Sequence, residues 1–248
     1  MRHMGLLLWV PCLGLLGSGA AGCCGPSSGG RVDQARLPAI TLHLAGDSTV
    51  MTYAATTIQE GWGQELGAFF IDQVALNNQA VGGANVRSFQ NGRWARITAS
   101  LSPGDYVMMQ FGANDSGTAH GPVTPEDFAA ALGQMADEVR AKGATPVFVT
   151  PSAFYQWSGE RQDNTRLAPY AEAARAAGAA KGVLVVDLNA RGVEYLNSIG
   201  QEAAKALYMP SRGTVDKAHF VQAGAAQMAR FVADELRRIQ SPLAAYLK

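Results

Sequence analysis

One short segment of the sequence places a serine where it could act as a nucleophile. Gly46-Asp47-Ser48 follows an apolar run directly, and Gly46 allows the backbone to turn sharply at that point. A serine hydroxyl is a poor nucleophile until a base removes its proton, so chemistry at Ser48 requires a histidine. Asp and Ser also hydrogen-bond to their own backbone in ordinary turns, and the segment by itself fits that simpler role.

The chain has four histidines, and they differ in their surroundings. His3 lies in the amino-terminal segment, His43 in an apolar run where packing is expected, and His120 in a polar loop. His219 has an acid, Asp216, three residues before it. This spacing predicts that His219 is the general base and that Asp216 orients it, because a carboxylate on one ring nitrogen points the other at the serine.

Two other interpretations of the Asp216 and His219 pair stay open. Asp216 could instead cap the helix expected after it, which would leave His219 as a surface residue. A metal site is less favoured, since no third cluster of ligand residues is visible in the sequence.

Acyl transfer also needs hydrogen-bond donors for the negative charge that develops on the carbonyl oxygen. Gly82-Gly83 follows a second apolar run and can expose a backbone N–H, and Asn114 follows a third run and can offer its side-chain amide. Each segment alone is more typical of a turn. Together with Ser48 and His219 they predict an oxyanion hole.

The four segments, in this order, resemble the blocks of the SGNH (GDSL) hydrolases. They are Gly46-Asp47-Ser48, the loop ending in Gly83, Gly112-Ala113-Asn114-Asp115, and Asp216 with His219. The resemblance implies a flavodoxin-like α/β/α sandwich with Ser48 as nucleophile, His219 as base and Asp216 as its partner. It also implies an oxyanion hole from the backbone of Ser48 and Gly83 and the amide of Asn114, and no cofactor.

Within that family the chain is most similar to rhamnogalacturonan acetylesterases. The similarity lies in four segments, Leu44–Thr49, Gly61–Gly63, Asn78–Val81 and Arg87–Phe89. Two positions depart from the pattern, because Ala113 and Phe220 stand where those enzymes usually carry His and Thr. The resemblance implies hydrolysis of O-acetyl esters on a carbohydrate such as pectin. A lipase, thioesterase or acyltransferase with the same triad, or a non-catalytic carbohydrate-binding protein, are the alternatives.

Several large or cationic side chains near these segments are candidates for a sugar-binding pocket. They are Arg87, Phe154, Tyr155, Trp157 and Arg212. Aromatic side chains stack on sugar faces, although they pack in cores as often. Trp62, between two glycines, is expected to pack.

Short apolar runs alternate with longer amphipathic ones from Ile40 onward, which is typical of β-α units that build a parallel sheet. The sequence therefore predicts an α/β fold, a three-layer sandwich with a five-stranded parallel sheet. The expected strands are Thr41–Ala45, Asp72–Leu76, Tyr106–Phe111, Thr145–Thr150 and Val183–Asp187.

Helices are predicted between these strands. Thr124 followed by Pro125 and two acids is a strong helix start, and Gly143 can end that helix. The other expected helices are Gly63–Phe70, Thr165–Ala177, Arg191–Ala206 and Gln222–Gln240.

The amino terminus has the residue pattern of a targeting segment. Arg2 precedes an apolar stretch and small residues follow it, so residues 1–22 are expected to be a signal peptide for export. Cys23 after Ala20-Ala21-Gly22 resembles a lipidation site, and ordinary cleavage is the alternative. Residues 23–38 are expected to be a flexible linker and residues 39–248 one hydrolase domain.

The composition excludes some classes of function. Twenty basic and twenty acidic residues balance, so no charge pattern favours binding to nucleic acid, and a small or polysaccharide ester is the expected partner. All three cysteines lie at or before position 24, which excludes a disulfide framework and a cysteine zinc site from the catalytic body. We expect a monomer, with a lipid anchor only if Cys23 is modified.

Overall fold

The computed structural model describes residues 33–119 and 121–248. Its strands are β1 (Ile40–Gly46), β2 (Gln59–Glu60), β3 (Val74–Asn78), β4 (Tyr106–Gln110), β5 (Thr145–Val149), β6 (Trp157–Ser158), β7 (Arg161–Gln162), β8 (Leu184–Val186), β9 (Tyr208–Ser211) and β10 (Thr214–Val221). Its α-helices are α1 (Trp62–Glu65), α2 (Val86–Gln90), α3 (Trp94–Ser100), α4 (Pro125–Ala141), α5 (Ala168–Lys181), α6 (Leu188–Ala204) and α7 (Gln222–Arg238).

Five parallel strands form the central sheet, in the order β3-β1-β4-β5-β8. Counted along the chain, this is the order 2-1-3-4-5 of flavodoxin-like folds, in which ligands bind beyond the carboxyl ends of the strands. The predicted fold class is confirmed, and each predicted strand boundary agrees with the structure within two residues.

The sheet separates two apolar cores, because successive side chains of a strand point to opposite faces. Met108 of β4 joins a core with residues of α1, α6 and α7, whereas Val107 and Met109 join a core with residues of α2 to α5. Both faces of the sheet are therefore covered by helices, which is the predicted three-layer arrangement.

The observed helix starts confirm one prediction, for α4, and correct two others, for α5 and α6. Thr124 caps α4 as predicted, since its Oγ1 accepts the N–H of Asp127 at 3.2 Å. Thr165 does not begin α5, because its backbone N–H and its hydroxyl both donate to the carboxylate of Asp163 in a turn of their own. Asp187 caps α6, so that helix begins at Leu188, before the predicted start.

The predicted helix at 63–70 is divided into α1 and a 3-10 turn at Leu66–Phe69, and α6 is interrupted at Gly200, whose φ is 77°. Three further 3-10 turns lie in the described chain, at Gln34–Arg36, Lys205–Leu207 and Pro242–Tyr246.

A second, antiparallel sheet of order β2-β10-β9 was not predicted from the sequence. Its long strand β10 contains Asp216 and His219, so these residues lie on an irregular strand and not in a simple turn before a helix. The pairing of β10 with β9 shifts register between Val215 and Phe220. Asp216 does not cap α7, whose N-cap is Val221, and that alternative is ruled out.

The end of the predicted linker is part of the folded body. The side-chain amide of Gln34 donates to the carbonyls of Ala245 at 3.0 Å and Leu247 at 2.8 Å, and Leu37 packs on the core. The expectation of a flexible linker is therefore wrong for residues 33–38, because this segment has partners near the carboxyl terminus. The predicted signal peptide, Cys23 and the first part of the linker lie outside the described residues. Among the described helices, none combines the length and apolar character needed to cross a bilayer.

Candidate active site

Ser48 sits on a tight turn at the end of β1. The carbonyl of Asp47 accepts the N–H groups of Val50 and Met51, each at 3.1 Å, and its Oδ1 accepts the backbone N–H and the hydroxyl of Thr49, each at 2.8 Å. A Cβ on Gly46 would lie 2.6 Å from Val50 Cγ2, so only glycine fits at the start of this turn. The turn is thus fixed on both sides of Ser48.

A buried polar network supports the turn from below. Trp62 Nε1 donates to Gln110 Oε1 at 2.7 Å, and Gln110 Nε2 donates to Thr49 Oγ1 at 2.8 Å. Ser152 Oγ donates to the same Gln110 oxygen at 3.1 Å. Trp62 is buried, as the sequence predicted, and its indole N–H is satisfied through this network.

The structure brings the three predicted triad residues into one line of contacts. Ser48 Oγ lies 3.0 Å from His219 Nε2, and His219 Nδ1 lies 3.1 Å from Asp216 Oδ1. With the ring proton on Nδ1, the carboxylate accepts it and Nε2 is left to accept the serine proton. The side chains of His219 and Asp216 are 32% and 31% exposed, so solvent reaches the base.

The carboxylate of Asp216 is also held by its own backbone. Its Oδ1 accepts the N–H groups of Ala218 at 2.7 Å and His219 at 2.8 Å, in addition to the ring nitrogen. Burial raises the pKa of Asp216, but these backbone N–H donors and the His219 ring outweigh burial, and the pKa falls below its ordinary value. Asp216 is therefore ionised at neutral pH.

Tyr53 is a neighbour of Ser48 that sequence reasoning missed. Its hydroxyl donates to the Ser48 carbonyl at 2.9 Å and accepts from Gln59 Nε2 at 2.6 Å. Burial, with a contribution from the Asp47 charge, raises the pKa of Tyr53 to about 12. Because Gln59 lies on β2, which pairs with β10, Tyr53 links the turn of Ser48 to the sheet that carries His219. No motif signals this role.

Three candidate donors for a developing oxyanion follow strands β1, β3 and β4 of the parallel sheet. Within the described residues, the backbone N–H groups of Ser48 and Gly83 have no acceptor. Gly83 adopts a φ of 76° in a turn closed by the N–H of Ala84. Asn114 donates one amide N–H to the Ala84 carbonyl at 2.9 Å, and an amide has a second N–H to offer.

Asp115 joins the loops that carry Gly83 and Asn114. Its two carboxylate oxygens accept the N–H groups of Val86 at 2.9 Å and Gly112 at 2.8 Å. The side chain is fully buried, and burial raises its pKa in spite of these donors. The last residue of the Gly-x-Asn-Asp segment thus holds two loops at a fixed separation.

The carboxylate of the serine motif, Asp47, has hydrogen bonds to only one of its two oxygens within the described chain. Asp47 is completely buried, and its Oδ2 has no hydrogen-bond partner among the described residues. Burial raises the pKa of Asp47 to about 6, although the hydrogen bonds from Thr49 act in the opposite direction.

The predicted sugar-binding residues lie in different surroundings. Phe154 is only 4% exposed and lies under the Arg166 guanidinium, 5.3 Å from its ring centroid, so it cannot stack on a sugar. Arg87 forms an ion pair with Asp127 at 2.7 Å. The expectation for Phe154 is therefore wrong, because its ring is buried, whereas Arg87 is about half exposed and its role stays a prediction.

The other three candidates are placed differently from one another. The Tyr155 ring packs against Tyr208 and Trp157 at centroid distances of 5.5 and 6.2 Å. The backbone N–H of Tyr155 donates to the backbone carbonyl of Lys217 on β10 at 2.7 Å, which places Tyr155 beside the strand that contains His219. Arg212 is exposed at the tip of the β9–β10 hairpin with a φ of 39°.

The remaining histidines do not enter the site. His43 is buried in β1, with Nδ1 3.0 Å from Asn77 Nδ2 and Nε2 3.6 Å from Asp105, which confirms the packing role. His3 and His120 lie outside the described residues. In the part of the chain that the structure describes, no group of three or more His, Cys, Asp or Glu is arranged to hold a metal ion.

Comparisons with known proteins indicate the family of this chain. The model of the GDSL-like lipase/acylhydrolase family matches residues 44–227. The chain is 32% identical to the probable rhamnogalacturonan acetylesterase YesY of Bacillus subtilis over 206 residues, 82% of this chain and 94% of that protein. It is 33% identical to the rhamnogalacturonan acetylesterase RhgT of the same organism over 219 residues, 84% of this chain and 94% of that protein.

A solved structure is similar over the same region. The fold superimposes on the crystal structure of YxiM from Bacillus subtilis with a TM-score of 0.74 at 31% identity. The match covers 82% of this chain and 57% of that one, so the chain spans little more than half of that protein.

Proposed function

Because this chain belongs to the GDSL-like lipase/acylhydrolase family of ester hydrolases, we propose that it hydrolyses O-acetyl esters on a carbohydrate through an acetyl-serine intermediate. One observation carries the proposal: the contact of Ser48 Oγ with His219 Nε2 at 3.0 Å, backed by the contact of His219 with Asp216. A serine, its base and the orienting acid are together at the carboxyl edge of the sheet.

The residues divide the reaction into two halves. Ser48 Oγ attacks the acetyl carbonyl carbon while its proton passes to His219 Nε2, and Asp216 stabilises the charged ring. The N–H groups of Ser48 and Gly83 and the amide of Asn114 stabilise the oxyanion. His219 then gives the proton to the sugar oxygen, which leaves as an alcohol, and the acetyl group stays on Ser48.

Deacylation repeats the same steps with water. His219 Nε2 takes a proton from a water molecule, whose oxygen attacks the acetyl-serine carbonyl. The tetrahedral intermediate collapses, acetate leaves, and the proton on His219 returns to Ser48 Oγ. The partly exposed position of His219 supports this step, because water can reach its ring.

The substrate class is inferred from the named relatives. Two of them act, by name, on acetylated rhamnogalacturonan, so acetylated pectin is the first candidate and other acetylated polysaccharides follow. The test is acetate release from acetylated pectin, acetylated xylan and small acetyl esters by the purified protein. We expect release from at least one glycan, and hydrolysis of long-chain esters alone would overturn the carbohydrate assignment.

A fluorophosphonate probe tests the nucleophile independently of the substrate. We expect the probe to modify Ser48 in the wild-type protein and peptide mapping to locate it there. Absence of labelling in a folded sample, together with no turnover of any ester, would favour a non-catalytic binding protein.

Export is a second part of the proposal. The basic residue, apolar stretch and small residues before Cys23 support a signal peptide, with the mature protein either free or anchored through Cys23. Intact-mass measurement of the protein from the producing cells tests this. A diacylglycerol adduct on a chain that begins at Cys23 would identify the anchor, and an unprocessed chain that begins at Met1 would overturn export.

A further inference from the structure

An arginine from outside the triad contacts the loop that carries Asn114. Nε of Arg166 donates to Ser116 Oγ at 2.9 Å, and its Nη2 donates to the Ala113 carbonyl at 3.2 Å. Ser116 Oγ in turn donates to the same carbonyl at 2.9 Å. The guanidinium, the hydroxyl and the carbonyl therefore form a closed ring of hydrogen bonds.

The place of this ring matters because Ala113 directly precedes Asn114. The Ala113 carbonyl belongs to the planar peptide group that ends at the Asn114 nitrogen, so the two donors on this oxygen fix the plane from which Asn114 projects. The side chain of Asn114 is held separately, since one amide N–H donates to the Ala84 carbonyl at 2.9 Å. The two restraints together set the direction of the second amide N–H, which is the one available to an oxyanion.

Arg166 is held in place although it is an exposed residue. A Cβ on Gly117 would lie 2.9 Å from Arg166 Nη2, so the guanidinium approaches the loop more closely than a side chain there would allow. The next residue, Leu167, is 1% exposed and belongs to a small apolar cluster with Ala113 and Phe154. The guanidinium covers this cluster, 5.3 Å from the centroid of the Phe154 ring.

The charge of Arg166 is not used in an ion pair. Within the described residues, no carboxylate lies at ion-pair distance from its guanidinium, whereas Arg175 on α5 pairs with Glu172 and Asp187. A guanidinium offers several N–H donors in one rigid plane, which suits it to hold two oxygens at a fixed separation. The contacts of Arg166 therefore indicate a role in the loop that carries Asn114.

We propose that Arg166 is a positioning residue for the oxyanion hole. By holding the Ala113 carbonyl and the Ser116 hydroxyl, it directs the second amide N–H of Asn114 toward the carbonyl oxygen of the ester under attack. Arg166 acts through Asn114 and needs no contact with the substrate. The inference rests on the proposed function, in which Asn114 is an oxyanion donor.

A double-mutant cycle between Arg166 and Asn114 tests this role. Asn114→Ala removes one oxyanion donor and should lower kcat for p-nitrophenyl acetate by about 10²-fold. Arg166→Met should lower kcat by about tenfold and change KM less than about twofold, because a misdirected donor mainly weakens binding of the transition state. In the Asn114→Ala background, Arg166→Met should lower kcat by less than about twofold, because no donor is left to position.

Ser116→Ala is a smaller change that tests the same ring. It should lower kcat by about threefold, and this loss should also disappear in the Asn114→Ala background. Arg230→Met, at an exposed position on α7, is the matched control and should behave as its parent in both backgrounds. Losses that multiply with that of Asn114→Ala, or a change in KM alone, would refute the positioning role and leave the esterase function standing.

A spectroscopic measurement tests the inference without turnover. The side-chain amide signal of Asn114 in the NMR spectrum of an isotope-labelled sample is identified by its absence in Asn114→Ala. We expect this signal to shift in Arg166→Met and to keep its position in Arg230→Met. An unchanged signal in Arg166→Met would refute the inference whatever the activity. A shifted signal in a protein that hydrolyses no ester would refute the esterase proposal and leave the contact between Arg166 and the Asn114 loop standing.

Discussion

The hydroxyl oxygen of Ser48 lies 3.0 Å from Nε2 of His219, although 171 positions separate the two residues in the chain. The contact joins the parallel sheet to the three-stranded antiparallel sheet, since Ser48 follows β1 and His219 lies on β10. β10 pairs with β2, and the Tyr53 hydroxyl bridges Gln59 of β2 and the Ser48 carbonyl. These contacts fix the position of the antiparallel sheet relative to Ser48.

Ser48→Ala should lower kcat for p-nitrophenyl acetate by roughly 10⁴-fold or more, because the nucleophile is lost while the oxyanion donors remain. Its hydroxyl contacts only the His219 ring among the described side chains, so the melting temperature should stay close to that of the wild type. Steady-state kinetics and a thermal melt check both parts. Ser198→Ala, on the exposed face of α6, is the control, and wild-type activity in Ser48→Ala would remove Ser48 from the mechanism.

Substitutions of Asp216 should give a graded loss, because one oxygen of this carboxylate performs three tasks. Asp216→Asn keeps an oxygen for the N–H groups of Ala218 and His219 and removes the charge, so we expect a loss in kcat that is smaller than the loss in Asp216→Ala. Asp216→Ala also removes the acceptor of these two backbone N–H groups, and the loss in kcat should approach roughly 10⁴-fold. Rates on p-nitrophenyl acetate at one pH measure the series.

The control for Asp216 is Asp234→Asn, an exposed carboxylate on α7, which should leave kcat unchanged. Equal rates in Asp216→Asn and Asp216→Ala would mean that the backbone hydrogen bonds do not help to position His219. Rates equal to the wild type in both would exclude Asp216 from the triad.

The sequence was sufficient to predict the parallel sheet and the segments at its carboxyl edge. Strands buried on both faces leave continuous apolar runs, and Ser48, Gly83 and Asn114 each follow such a run. The antiparallel sheet leaves no comparable signal. β2 has only two residues, and β10 begins with the mostly polar Thr-Val-Asp-Lys. The residues that pair between these strands are about 160 positions apart, so local sequence does not predict their pairing.

The residues around the site were harder to assign than the residues that would act in it. Phe154 follows β5 and is a candidate for stacking by its sequence position, but the sequence does not show that Arg166 covers it. Helix α3 was not predicted, and the direction of its side chains is known only once the structure shows that Trp94 is buried.

Gln110→Ala should destabilise the protein by ~3 kcal/mol, because it leaves the buried Trp62 N–H without an acceptor and creates a cavity. Thr49 loses a donor to its hydroxyl at the same time, so the turn of Ser48 should also be less well fixed and kcat should fall. Urea unfolding and ester kinetics measure the two effects. Gln134→Ala, exposed on α4, is the control, and an unchanged unfolding midpoint in Gln110→Ala would contradict the supporting role of the network.

Asp47 should make the stability of the protein depend on pH between about 4 and 7. Burial raises its pKa in the folded state to about 6, above the ordinary 3.8, so the folded protein binds this proton more tightly than the unfolded chain does. The stabilisation is therefore complete below pH 4 and is lost as pH rises through 6. A shift of this size corresponds to ~3 kcal/mol at most.

Asp47→Asn cannot titrate at this position, and its amide oxygen can still accept from Thr49. The free energy of unfolding of the variant, relative to the wild type, should therefore increase by up to ~3 kcal/mol between pH 4 and pH 8. Urea unfolding at several pH values measures this difference, in which the other titrating groups cancel. Asp72→Asn, at an exposed position before β3, should show no such trend. A difference that stays constant over this range would mean that Asp47 keeps the same charge in the folded and unfolded chains, and that its buried Oδ2 does not favour a proton.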